Sequence, residues 1–163
     1  MTIVIDATAL ILLSKISVLE VFTKRNKVIA PEIVYYEVTR GKEKGRTDSL
    51  IVEKLTREGN IDIETPQKAV KNRIESVFNL KKGELEVISL AYKTKRTILT
   101  DDRKCLNVAK VLGIGFITSL DVIIALYKKK AIAKGKALKC IDRLEEYGWY
   151  AKDLIEDYRE AVK

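Results

Sequence analysis

Short runs of β-branched and aliphatic residues punctuate the chain, and longer stretches with three-and-four spacing of apolar positions separate them. The short runs predict strands at 2–5, 28–30, 61–63, 97–100 and 116–117. The spaced stretches predict helices over 8–24 with a break near Ile16, and over 31–41, 46–58, 67–79, 83–95, 103–112, 119–128, 134–147 and 151–161. Apolar strands that alternate with helices suit a parallel sheet covered on both faces. The expected fold class is therefore α/β: a three-layer sandwich with a central, mainly parallel five-stranded sheet flanked by helices.

The polar exceptions to this pattern carry the chemistry. Asp6 follows the first strand, and Asp101 and Asp102 follow the fourth. In open parallel sheets ligands gather beyond the carboxyl ends of the strands, so these three carboxylates share one edge. In the second helical stretch Glu37 falls among Ile33, Val34, Val38 and Gly41 and is expected to interrupt a buried stripe. An unpaired buried carboxylate is costly, so Glu37 needs a cation, a lysine or a proton. Glu84 opens the helix whose stripe is Leu85, Ile88 and Ala91 or Tyr92, while Glu86 is expected to face solvent. Taken singly, each acid has an ordinary structural role, such as a salt bridge, a helix N-cap or a first-turn charge. Together they form a set of like charges that stays ionised only beside a cation. Oxygen donors without nitrogen or sulfur select Mg²⁺ or Mn²⁺, ions that polarise phosphates and activate water.

Composition narrows the partners. The chain has 163 residues, 47% apolar and 33% charged, enough for one soluble domain with a real core. Net charge is +8, from 31 Lys+Arg against 23 Asp+Glu, which suits a polyanionic partner or simply a lysine-rich surface. Lys15, Arg40, Lys42, Lys44, Arg46, Arg103 and Lys104 lie near motif ends and are candidates to hold a nucleic-acid backbone. The absence of histidine removes serine–histidine and cysteine–histidine catalysis. Cys105 and Cys140 form no Cys-x-x-Cys pair and are expected to be buried thiols. No apolar run reaches the ~18 residues of a membrane span, and the start reads as a strand rather than a signal peptide, so a cytoplasmic location is expected.

The acids, in this order, resemble the PIN-domain family. The matching segments are Ile-Val-Ile-Asp-Ala-Thr-Ala-Leu-Ile at 3–11, Ala-Pro-Glu-Ile-Val-Tyr-Tyr-Glu-Val at 30–38, Lys-Gly-Glu-Leu-Glu-Val-Ile-Ser-Leu-Ala at 82–91 and Ile-Leu-Thr-Asp-Asp-Arg at 98–103. The resemblance implies a metal-dependent ribonuclease acting on single-stranded RNA, a group that includes VapC-type toxins of toxin–antitoxin pairs. It implies catalytic roles for Asp6, Glu37, Glu84, Asp101 and Asp102. One or two Mg²⁺ or Mn²⁺ ions would be held by Asp6, Glu37, Glu84 and Asp102, and Thr8 and Ser119 would support them. It also implies a homodimer and an antitoxin protein as partners. Residues 1–130 would form the PIN-like nuclease domain, and residues 131–163 a helical extension packed on it, as in a branch of small prokaryotic PIN-like proteins. Where the family often shows Gly-Thr-x-Gly, this chain has Thr118-Ser119-Leu120-Asp121.

Other enzyme classes fit less well. A haloacid-dehalogenase phosphatase needs Asp-x-Asp, and position 8 is threonine. A receiver domain has its acidic pair early rather than late. No Gly-x-Gly-x-x-Gly or Walker loop is present. The remaining rival is a non-catalytic PIN-like module that binds RNA or protein.

Overall fold

The computed structural model describes residues 1–40, 47–147 and 150–163. Five strands form one sheet: β1 (Thr2–Ile5), β2 (Lys27–Pro31), β3 (Ile61–Glu64), β4 (Thr97–Leu99) and β5 (Phe116–Ile117). All four pairings are parallel and the order is β3-β2-β1-β4-β5. Parallel neighbours require crossovers, which the helices supply. These are α1 (Ala7–Lys15), α2 (Leu19–Thr23), α3 (Glu32–Thr39), α4 (Thr47–Arg57), α5 (Lys68–Glu75), α6 (Lys82–Thr94), α7 (Arg103–Val111), α8 (Ser119–Lys128), α9 (Lys134–Tyr147) and α10 (Lys152–Ala161). Every strand and helix expected from the apolar pattern is present, and the sheet is wholly parallel.

β1 lies at the centre, and Ile3, Val4 and Ile5 are fully buried. After Thr2 this doubly covered strand carries no polar residue until it ends, at Asp6. The first helical stretch splits where Ser17 takes a left-handed conformation (φ 59°) after the Ile16 cap, which separates α1 from α2. β4 ends one residue earlier than the pattern suggests. Thr100 still donates its N–H to Ile117 O at 3.1 Å, so the pairing toward β5 runs on after the strand geometry stops.

The last two helices bury an apolar seam of their own. Ala137, Cys140, Ile141 and Leu144 of α9 are in the core, as are Ile155 of α10 and Val162. Arg159 of α10 donates to Asp142 and Glu145 of α9 (2.8 and 2.5 Å), fastening one helix to the other at the surface. Leu154, on the outer side of α10, is 40% exposed. Both cysteines are free and buried. Among the described residues, no helix is long and apolar enough to cross a membrane.

The contrast within this C-terminal pair is testable. Leu144→Ala should cost about 2–5 kcal/mol of stability through the cavity it leaves, whereas Leu154→Ala should change stability by less than about 1 kcal/mol. Urea denaturation of the two variants measures both values. Equal midpoints would show that α9 is not part of the cooperative core.

Candidate active site

The strand order reverses direction on either side of β1. The chain moves out through β2 and β3 on one side, then through β4 and β5 on the other. The crevice beyond the carboxyl ends of β1 and β4 is therefore the topological switch point, where such sheets bind ligands. Asp6 stands just past β1, and Thr100, Asp101 and Asp102 just past β4.

Asp6 is the N-cap of α1. Its Oδ1 accepts the Ala9 N–H at 2.8 Å, and its Oδ2 accepts the Thr100 hydroxyl. The same Thr100 oxygen accepts the Asp102 N–H at 3.1 Å. One buried threonine thus ties the ends of β1 and β4 together. Asp102 in turn caps α7, with Oδ1 accepting the Cys105 N–H at 2.8 Å. Glu84, in the first turn of α6, accepts the Lys81 N–H at 3.1 Å through Oε2. Glu37 of α3 lies over that same turn. A Cβ on Gly83 would stand 2.9 Å from Glu37 Oε2, so the carboxylate approaches this closely because position 83 has no side chain.

Asp6, Thr8, Glu37, Glu84 and Asp102 line one cleft of about 220 Å³, together with Lys81 and Gly83. Burial pushes the Asp6 carboxyl up to about 7, and the charges of Asp101 and Asp102 push the same way against the stabilising bonds from Thr100 and Ala9. The Glu37 carboxyl is also held above its usual range, by partial burial first and then by Glu84 and Glu86.

Several expected placements differ. Glu37 is exposed at the cleft and does not sit in a buried stripe. Val34 and Val38 carry the buried side of α3, while the Glu37 face opens toward Gly83. Glu86 is buried (8% exposed) rather than solvent-facing, because α6 packs against α3, α5, α7 and the sheet; it pairs with Lys71 at 3.5 Å. Asp101 lies outside the cleft lining. Its carboxylate accepts the Ser119 N–H (2.9 Å), the Ser119 hydroxyl and the Tyr150 hydroxyl. Ser119 is fully buried and engaged with Asp101, so its hydroxyl does not reach the cleft. Burial raises the Asp101 carboxyl, Ser119 and Tyr150 oppose that rise, and Asp121 adds to it. Beside this group, Asp121 completes a capping box with Thr118 and accepts the Tyr158 hydroxyl.

The basic candidates also separate. Lys15 ends α1, about 12 Å further along the helix axis than Ala7. It faces Asp48 (3.9 Å) and the Tyr147 ring (5.0 Å), so it is not near the acids. Arg40 lines a neighbouring cavity with Glu37. Arg103 and Lys104 are exposed on the first turn of α7, outside the cleft lining. Lys42, Lys44 and Arg46 lie outside the described residues, as does Gly41.

Thr100, Lys81 and Tyr150 were not among the expected site residues. The sequence signal for Thr100 was a hydroxyl-bearing residue closing an apolar strand directly before two acids. Lys81 and Tyr150 had none, because their positions depend on tertiary docking.

The donor set fits a hard cation. It is all oxygen, and Glu84 and Asp102 each keep one carboxylate oxygen clear of the local bonds described above. Among the described residues, no three acidic or thiol side chains already form a closed ligand cage.

The family model described as DUF3368, PIN domain, matches residues 2–162. That match spans nearly the whole chain, and the chain belongs to the PIN-domain family. It is 34% identical over 82 residues to Endoribonuclease Nob1 of Pyrococcus abyssi (strain GE5 / Orsay), which covers 46% of this chain and 51% of that protein. The chain thus spans about half the length of that curated relative. The fold is similar to the crystal structure of PAE2754 from Pyrobaculum aerophilum, with TM-score 0.57 and 18% identity, covering 77% of this chain and 98% of that one. It is also similar to VapBC-1 from nontypeable Haemophilus influenzae, with TM-score 0.54 and 13% identity, covering 73% and 98%.

The raised Asp6 carboxyl has a pH signature in metal-free protein. Unfolded Asp6 ionises near 3.8 and folded Asp6 near about 7, so between these values the folded state holds the extra proton. Stability from this group is complete below 3.8 and declines as pH rises toward about 7. Asp6→Asn should remove that decline, so the variant gains on wild type from acid to neutral pH. Urea midpoints across this range in EDTA measure it. Parallel curves for the two proteins would show that Asp6 is not the group concerned.

Proposed function

We propose that this protein is a divalent-metal-dependent endoribonuclease that hydrolyses phosphodiester bonds in single-stranded RNA. The observation that carries the reading is the meeting of Asp6, Glu37, Glu84 and Asp102 in one cleft at the switch point of the sheet. Membership of the PIN-domain family and the likeness to a protein named as an endoribonuclease support it.

The chain's own residues account for positioning. Ala9 and Thr100 fix the Asp6 carboxylate, Cys105 fixes Asp102 and Lys81 fixes Glu84, so the acids are held before any ligand arrives. Pre-organised donors act without reorganising during the reaction. Mg²⁺ or Mn²⁺ held by Asp6, Glu37, Glu84 and Asp102 would supply Lewis acidity toward a phosphate oxygen and acidify water. Thr8, also in the cleft lining, would support the bound ions from its place at the start of α1. Lys81 lines the same cleft, its charge acts on Glu37, and it would offer a cation to the phosphate. In hydrolysis a water oxygen joins phosphorus, the bond to the leaving ribose oxygen breaks, the water's proton passes to a cleft carboxylate, and the leaving oxygen takes up a proton from solvent to depart as a hydroxyl. Asp101 acts as a support for Asp102 in this reading and not as a ligand.

Within this class we place the protein as the toxin of a toxin–antitoxin pair, a cytoplasmic homodimer with an antitoxin protein as partner. Residues 1–130 are the nuclease unit and 131–163 an extension of it. Light scattering and co-purification with the product of the adjoining reading frame test the assembly.

A second reading is a PIN-like module that binds RNA or protein without cutting it. What favours it is the lack of a closed ligand cage among the described residues. Cleavage assays separate the two. Asp6→Asn and Asp102→Asn should each lower Mn²⁺-dependent cleavage by about 100-fold or more, and the double variant should be scarcely worse. Glu160→Gln, at an exposed ion pair with Lys163, should cut as wild type does. Wild-type protein that cuts no RNA with Mg²⁺ or Mn²⁺ would transfer the case to the binding module.

Gly83→Ala tests the approach of Glu37 to α6. Alanine inside a helix gains up to about 1 kcal/mol over glycine, but its Cβ displaces the Glu37 carboxylate. The melting temperature should hold or rise while calorimetric Mn²⁺ affinity falls. Unchanged affinity would remove Glu37 from the ligand set.

A further inference from the structure

Beside the acidic cleft lies a second cavity, of about 420 Å³, within the ~300–1,000 Å³ range of small-molecule sites. It is the groove between α3 and the first turns of α6, and Glu37 lines both spaces. The groove is lined by Ile33, by the aromatic ring of Tyr36, by two cations, Arg40 and Lys82, and by three carboxylates, Glu32, Glu37 and Glu86. Tyr36 is 49% exposed, yet its ring is oriented by an edge-on contact with Tyr35 at 5.6 Å and 63°. An exposed aromatic face held in place is a stacking platform, and base–aromatic stacking is tolerant of sequence. Ile33, Tyr36 and Arg40 follow one another at helical spacing along one side of α3. Lys82 opens α6 one turn before Glu86, whose charge is answered by Lys71.

We infer that the α3–α6 groove is a nucleotide subsite: it takes the base next to the scissile phosphate of a single-stranded RNA, stacked on Tyr36, with Arg40 and Lys82 holding the flanking phosphate. This rests on the ribonuclease reading for its direction, since Glu37 is the shared wall between the groove and the acidic cleft. A duplex cannot offer this contact, because its bases are stacked on one another. An unpaired base can be splayed onto the ring. The subsite therefore supplies a physical reason for single-strand preference, which the acidic cleft alone does not contain.

The test is fluorescence anisotropy with a short labelled single-stranded oligoribonucleotide in EDTA, where no cleavage occurs. Tyr36→Ala should weaken binding about tenfold or more, and Tyr36→Phe should restore it, because the ring and not the hydroxyl makes the contact. Arg40→Ala should weaken binding and flatten its salt dependence. The same oligonucleotide annealed to its complement should bind wild type and Tyr36→Ala alike. Equal affinity of wild type and Tyr36→Ala for the single strand would overturn the subsite, and so would a Tyr36→Phe variant as weak as the alanine one. Failure of the nuclease reading shows separately, as loss of metal-dependent cleavage in wild type while the anisotropy pattern persists.

Discussion

The buried Asp6 carboxylate and the Thr100 hydroxyl that meets it are the constraint on which the acidic end of the molecule depends. β1 is the central strand, and its last apolar residue is followed at once by a carboxylate only 4% exposed. A charge in that position is tolerable because α1 begins there and offers the Ala9 N–H, and because β4 ends level with it and offers Thr100. The threonine oxygen passes the connection on to the Asp102 backbone. Two strands far apart in sequence are thereby locked in register at the one edge where their acids must converge.

Most of the architecture was legible because its signals are local. Five short apolar runs and the helical spacing between them follow from burial on two faces and on one stripe, respectively. The positions of Asp6 and Asp102 were legible for a related reason: each caps a helix that starts after a parallel strand, at the ligand-binding edge, whereas Glu84, on a helix that follows α5, was legible only as a first-turn acid. The errors arose where a neighbour decides. Helical spacing places Glu37 beside Val34 and Val38 but does not reveal that Gly83 opposite leaves the space open. It sets Glu86 off the Leu85–Ile88 stripe but does not reveal that α3 and α5 cover that side. Asp101 and Asp102 are adjacent and chemically alike, and only the docking of Ser119 and Tyr150 turns one of them away from the cleft.

Glu37 joins the two functional readings. It lies where the helix that carries the aromatic ring passes the helix that carries Glu84, so one carboxylate borders both the acidic cleft and the adjoining groove. Its exposure is what lets it serve there. A carboxylate buried in the stripe would have needed a fixed internal partner, as Glu86 has in Lys71.

The bonds from Tyr150 to Asp101 and from Tyr158 to Asp121 span 49 and 37 positions of sequence. On a ribosome the β4 end emerges long before either tyrosine. Until Tyr150 has been made, the segment that carries Asp102 has no hydroxyl to hold its neighbour Asp101. The support behind the acidic edge is therefore complete only once Tyr150 and Tyr158 have docked.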